Sequence, residues 1–136
     1  MPNQKSLAQT AIIKFNNSTI KKIRESIFEE AQTIVHCSYV AKGKYANGGW
    51  VNIFPTTYLV HNKEAIQLVH AENIPVAPEM YEFKNPNELK QFTLIFPQIP
   101  KDWETFSLIE KSGSNEGFTV VNIKRNNAGV YQIAVQ

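Results

Sequence analysis

Residues 50–60 read WVNIFPTTYLV. Valine, isoleucine, threonine, tyrosine and phenylalanine dominate the stretch, and these residues fit the pleated, half-buried surface of a β-strand. One proline, Pro55, interrupts it. Proline lacks the amide hydrogen that a strand ladder needs, so it is confined to strand ends, edges and bulges. The stretch therefore reads as two short strands, 50–54 and 56–61, meeting at a bend where the chain switches sheets. Trp50 is expected to plug the core or close one end of it rather than face a ligand, because large aromatic side chains dominate the energetics of small cores.

The pattern continues on both sides. Downstream, residues 62–63 make a short turn and 64–70 return as a strand. Residues 71–80, AENIPVAPEM, are irregular, since Pro75 and Pro78 each remove a ladder donor. Residues 91–96 alternate cleanly, with Phe92, Leu94 and Phe96 on one face and Gln91 and Thr93 on the other. Residues 105–110 form a further strand, and 118–124 with 129–135 a last hairpin across the Asn-rich turn RNNA. Upstream, residues 33–41 are rich in β-branched and aromatic types and read as a strand. Residues 18–31 admit two readings, a hairpin arm or a helix with Ile20, Ile23, Ile27 and Ala31 on one face, and the hairpin is preferred. Seven to ten short strands at intervals of about 8–12 residues predict an immunoglobulin-like antiparallel β-sandwich.

Bulk properties agree with one domain. A chain of 136 residues suffices for one core. Residues 1–10 are expected to be a flexible tail and residues 11–136 the sandwich. The apolar fraction of 43% and charged fraction of 19% are those of an ordinary globular protein. A net charge of +2, with basic residues interleaved with glutamates, gives no concentrated basic stripe, so nucleic acid is not an expected partner. No apolar run approaches the roughly 20 residues of a membrane span. Cys37 is the one cysteine, which excludes an internal disulfide, a CxxC redox pair and a zinc thiolate site.

Four phrases carry a resemblance. They are Trp50/Ile53 with Thr56, Thr57, Tyr58 and Leu59; Leu68/Ala71/Glu72/Ile74; the run 92–101, FTLIFPQIPK; and 106–110, FSLIE. Over about residues 18–124 the chain resembles small uncharacterised β-sandwich domains of gut and oral anaerobic bacteria, some of which precede thioredoxin-like modules. The resemblance implies a sandwich and a bacterial envelope setting, periplasmic or at the cell envelope where a leader has been removed; residues 1–15, which lack an apolar core of signal-peptide length, taken alone point to the cytoplasm. It carries over no catalytic residue, and no oxidoreductase activity follows, because the thioredoxin-like partner and its CxxC pair are absent from this sequence.

No reactive constellation stands out. The three histidines, His36, His61 and His70, are expected to be surface or half-buried residues. His61 and His70 should lie at opposite ends of one hairpin, too far apart to share a metal. His36 and Cys37 are consecutive in a strand and must face opposite ways, so they cannot form a Cys-His nucleophilic pair, and Cys37 reads as a small core hydrophobe. Glu72 and Glu110 each end an apolar run, where their expected role is to accept backbone N–H groups at the rim. SGSNEG is a poor calcium loop, and neither a phosphate-cradling glycine loop nor a GxSxG elbow is present. A hydrolytic site would need His70, Glu72 and a hydroxyl such as Thr56 to converge. No cofactor and no metal are expected.

The expectation is thus a non-catalytic accessory or protein-interaction module. The alternative is a carbohydrate- or small-ligand-binding module in which Trp50, Tyr58 and Trp103, with Tyr45 and Tyr81, form a stacking platform.

Overall fold

The computed structural model describes residues 31–42, 46–113 and 117–135. The tail, the start of the domain at residue 11, the hairpin-or-helix reading of 18–30, and Tyr45 lie outside the described residues. The described residues belong to one unit that begins at Ala31.

Ten strands and no helix occur among the described residues: β1 Gln32–Val40, β2 Trp50–Val51, β3 Thr57–His61, β4 Glu64–Gln67, β5 His70–Glu72, β6 Tyr81–Glu82, β7 Leu89–Pro97, β8 Thr105–Glu110, β9 Thr119–Lys124 and β10 Val130–Val135. They form two four-stranded sheets, ordered β10-β1-β7-β5 and β4-β3-β8-β9, and a small sheet of β2 and β6. The fold is all-β and sandwich-like. Every strand pair is antiparallel except β1 with β10, which run parallel from Ile34↔Val130 to Tyr39↔Val135.

The alternation of side chains explains why two sheets meet. Along β1, Thr33, Val35 and Cys37 are buried while Ile34, His36 and Ser38 are only half-buried. Along β7, Phe92, Leu94 and Phe96 are buried between Gln91, Thr93 and Ile95. The second sheet contributes Leu59, Phe106, Leu108 and Ile123 to the same core. Phe106 of β8 meets Tyr131 of β10 edge-to-face at 5.1 Å, tying one sheet to the other. Ile53, Ile99 and Trp103 are buried in this cluster from the connecting segments. Each large side chain so buried stabilises the fold by about 1.5–3 kcal/mol.

The bend at Pro55 does switch sheets. Before it, β2 pairs with β6 and Ile53 bridges Val76; after it, β3 runs between β4 and β8. The bend is fastened on both sides. Phe54 N donates to Glu110 Oε2 (2.9 Å), Thr57 Oγ1 to Phe54 O (2.6 Å), Gln67 Nε2 to Pro55 O (3.1 Å) and Lys111 N to Thr56 O (2.8 Å). Trp50, however, does not plug the core: it is 49% exposed. In a two-residue strand one side chain faces in, and that residue is Val51, packed against the core.

Two connections differ from the sequence reading. The expected strand over 64–70 is split between sheets. Leu68 N donates to Thr57 O of the second sheet (2.8 Å), and the next residue, Val69, donates to Ile95 O of the first (2.9 Å). His70 therefore belongs to β5, beside β7, rather than to a hairpin with His61. The expected last hairpin is also replaced. β9 pairs with β8, and β10 crosses to pair with β1. The crossing is set by the connecting residues. Arg125 is anchored through its backbone N to Glu104 O (2.8 Å) and through Nη1 to Pro100 O (2.5 Å). Asn126 Oδ1 accepts from Ala128 N (3.1 Å) and Gly129 N (2.8 Å), an Asx-type turn. Gly129, at φ 71°, then hands its carbonyl to Ile34 N (2.9 Å).

Candidate functional site

The outer face of the first sheet carries a shallow depression of about 600 Å³, lined by His36, Ser38, Gln91, Thr93, Asn73 and Gln132 over the backbone of Cys37, Phe92 and Ile133. Its residues are assembled by register. His36 on β1 lies opposite Gln132 of β10 on one side and opposite Thr93 of β7 on the other. One row further along, Ser38 lies between Ala134 and Gln91. Because side chains alternate, the residues between these positions point inward, and Cys37 and Phe92 are each only 3% exposed. Small Ser38 lies in this lining beside the long carboxamide of Gln91.

The polar groups divide into committed and uncommitted sets. His36 Nδ1 and Thr93 Oγ1 are hydrogen-bonded at 2.9 Å. Asn73, at φ 62°, donates through Nδ2 to Gln91 O (2.6 Å), closing the rim beyond β5. Among the described residues, the Ser38 hydroxyl and the Gln91 and Gln132 side-chain amides have no hydrogen-bond partner within the protein. Cys37 contributes no reactive thiol, for burial pushes its pKa up to about 12.

The same sheet ends in an open edge. β10, Val-Tyr-Gln-Ile-Ala-Val, has β1 on one side and no strand on the other among the described residues. The other three edges of the two four-stranded sheets are shielded. β9 carries a register shift opposite Phe106/Leu108 and Asn122 at φ 59°. β4 is four residues long and begins with exposed Glu64. β5 is three residues long, carries His70 and Glu72, and runs into left-handed Asn73. Short length, bulges and charge are the usual devices that keep edges from pairing; β10 has none of them.

The aromatic residues anticipated as a platform are not gathered. Trp50 lies on the small sheet. Tyr58 is half-buried on β3, with Lys111 Nζ 5.7 Å from its ring centre. Trp103 is completely buried and stacks on His61 at 5.4 Å, so it offers no face to a sugar. No ring contact joins any two of the three among the described residues.

The histidines are likewise dispersed. His61 Nδ1 donates to Thr105 O at 2.7 Å. His70 Nε2 is 3.7 Å from Glu72 Oε2, with both side chains about 60% and 59% exposed, an ion-pair geometry of little energetic weight in water. Thr56 hydrogen-bonds through Oγ1 to Lys111 O, so its hydroxyl is committed away from that pair. No group of three or more histidine, cysteine or acidic residues is arranged to hold a metal ion among the described residues. Among them, too, no helix is long and apolar enough to cross a membrane.

Glu110 fills the rim role anticipated for it. Its carboxylate accepts Phe54 N; burial pushes its pKa above the ordinary carboxylate value, against the opposing effect of backbone donors from Phe54 and Phe118. Glu72 does not, being turned instead toward His70. No family model, no curated protein and no solved structure matches the chain.

Proposed function

We propose that the domain is a non-catalytic β-sandwich interaction module whose docking edge is β10, and that its partner is an extended polypeptide segment added as a further strand. The observation that carries this reading is the contrast between β10 and the other sheet edges. Six consecutive residues carry no charge, proline or bulge, and the backbone donors and acceptors they turn away from β1 meet no further strand among the described residues. Such an edge is a template for β-strand addition, in which main-chain hydrogen bonds give affinity and alternate side chains give selectivity. Exposed Val130 and half-buried Ile133 favour a partner strand with apolar side chains on both faces. The resemblance to small uncharacterised bacterial β-sandwich domains adds a setting, the cell envelope.

The test is site-specific photocrosslinking in extracts of the cells that make the protein. A photoreactive residue at Val130 should yield a discrete adduct, one at Val121 on shielded β9 should not, and Gln132→Pro should abolish the first. Equal labelling at both edges, or none at Val130, overturns strand addition at β10.

A further inference from the structure

We propose that the depression on the outer face of the first sheet is a binding site for a neutral, hydroxyl-rich ligand, a short saccharide. Three features of the lining select that class. First, the functional groups are carboxamides, hydroxyls and one imidazole, each able to donate and accept. A sugar hydroxyl also donates and accepts, so a row of such groups can satisfy several hydroxyls in succession. Second, no arginine, lysine, aspartate or glutamate is among the described residues that line the site. A phosphate or carboxylate ligand would call for a charge-assisted donor. Lys90, whose amine reaches Asn73 Oδ1 at 3.4 Å, is held over the Tyr81 ring, 4.2 Å from its centre. Third, several of the groups that reach the surface here are uncommitted. The side chains of Ser38, Gln91 and Gln132 make no hydrogen bond within the protein among the described residues, and His36, held through Nδ1 by Thr93, keeps Nε2 available.

The volume of about 600 Å³ falls in the range of about 300–1,000 Å³ usual for small-molecule sites. The sheet supplies preorganisation. His36, Thr93 and Gln132 sit side by side on three adjacent hydrogen-bonded strands, so their spacing is fixed by the ladder and not by a loop. Selectivity comes from polar groups placed across strands, and the site uses none of the aromatic residues Trp50, Tyr58 and Trp103.

The saccharide site and the β10 edge are separable, because Gln91 on β7 serves the first and is two strands away from the second. The experiment is a titration of the full 136-residue chain, ¹⁵N-labelled, with maltotriose, cellotriose, xylotriose, mannotriose and diacetylchitobiose, and with inorganic phosphate as the charged control, followed by amide chemical shifts. At least one saccharide should shift His36, Ser38, Gln91, Thr93 and Gln132 in a saturable manner. Gln91→Ala and Gln132→Ala should each weaken that binding about 3- to 10-fold, the equivalent of one net hydrogen bond. Tyr58→Ala should leave it unchanged. Gln91→Ala should also leave crosslinking at Val130 intact, which separates failure of the saccharide site from failure of the docking edge. No saturable shift with any of the five saccharides at tens of millimolar, shifts driven by phosphate instead, or shifts centred on Trp50 and Tyr58 would each overturn the assignment.

Discussion

The two four-stranded sheets share one core and one strand count, yet they treat solvent differently. The sheet β4-β3-β8-β9 is fastened and shielded. Its corner is clamped by Glu110 on Phe54 N, β9 is bulged at its outer edge, and β4 is short. The sheet β10-β1-β7-β5 has a concave polar outer face and one long uncharged edge. The two sheets are equivalent in what they bury and different in what they leave available. Recognition is therefore expected on the first sheet, and rigidity is supplied by the second.

The largest effect should come from the part both sheets share. Trp103→Ala removes a completely buried indole from the core and should destabilise the domain by about 3–5 kcal/mol in urea denaturation. Trp103→Phe should cost clearly less, because the indole Nε1 has no hydrogen-bond partner among the described residues and nothing polar is lost with it. Trp50→Ala should change stability by less than about 1 kcal/mol, as expected of a substitution at a half-exposed surface position. Fluorescence gives an independent check: Trp50→Phe should leave a blue-shifted emission that resists quenching by acrylamide. Equal losses from the two alanine variants would mean that the core does not centre on Trp103.

That pair of tryptophans also shows what the sequence could and could not reveal. The alternation at Gln91, Phe92, Thr93, Leu94 and Phe96 is a local property of one strand, and β7 obeys it; residues 105–110 match β8 end to end. Local pattern fails where the decisive contact is remote. Trp103 sits among Pro100, Lys101, Asp102 and Glu104, a setting that reads as surface, and its burial depends on β3, whose His61 stacks on it. Trp50 sits in an apolar run that reads as core, but its strand belongs to a two-stranded sheet with an open face. The depression was illegible for the same reason. His36, Thr93 and Gln132 become neighbours only through the β1–β7 register and the parallel β1–β10 pairing, which joins the first described strand to the last.

The next effect lies in the clamped corner. A Cβ on Gly117 would stand 2.2 Å from Glu110 O, a backbone atom that cannot swing aside. Gly117→Ala should therefore cost about 1–3 kcal/mol, read as a lower midpoint in urea with an unchanged slope. Glu110→Ala, which strips Phe54 N of its acceptor, should cost about 1–2 kcal/mol. If neither substitution lowers the midpoint, the second sheet is not the rigid one.

Two carboxylates sharpen the comparison through pH. Glu110 is shifted upward, chiefly by burial, so its neutral form is favoured in the fold. Stability tied to it is full below the ordinary glutamate value and declines as pH rises through the raised one. Glu88 is shifted downward, chiefly because the Tyr81 hydroxyl donates to it (2.5 Å), with Lys84 N adding a second donor (2.8 Å). Stability tied to Glu88 is full above the ordinary value and is lost as pH falls. Thermal midpoints from pH 3 to pH 7 should accordingly flatten on the high-pH side of this range in Glu110→Gln and on the acid side in Glu88→Gln. The same slope change in both variants would contradict the opposite environments of the two groups.

The smallest effect on stability should fall on the edge where recognition is proposed. Ala134 is exposed on β10 and lies opposite Ser38, so a lysine there can extend into water without disturbing the core. Ala134→Lys should change unfolding free energy by no more than about 0.5 kcal/mol. The same residue places a charge on an edge that natural sheets protect in just this way, so strand addition should fail while the fold stands. Crosslinking from Val130 should then fall to the background seen from Val121. A lysine that leaves the adduct intact would show that the partner is held by side chains alone, and the distinction between a shielded and an open sheet would lose its functional meaning.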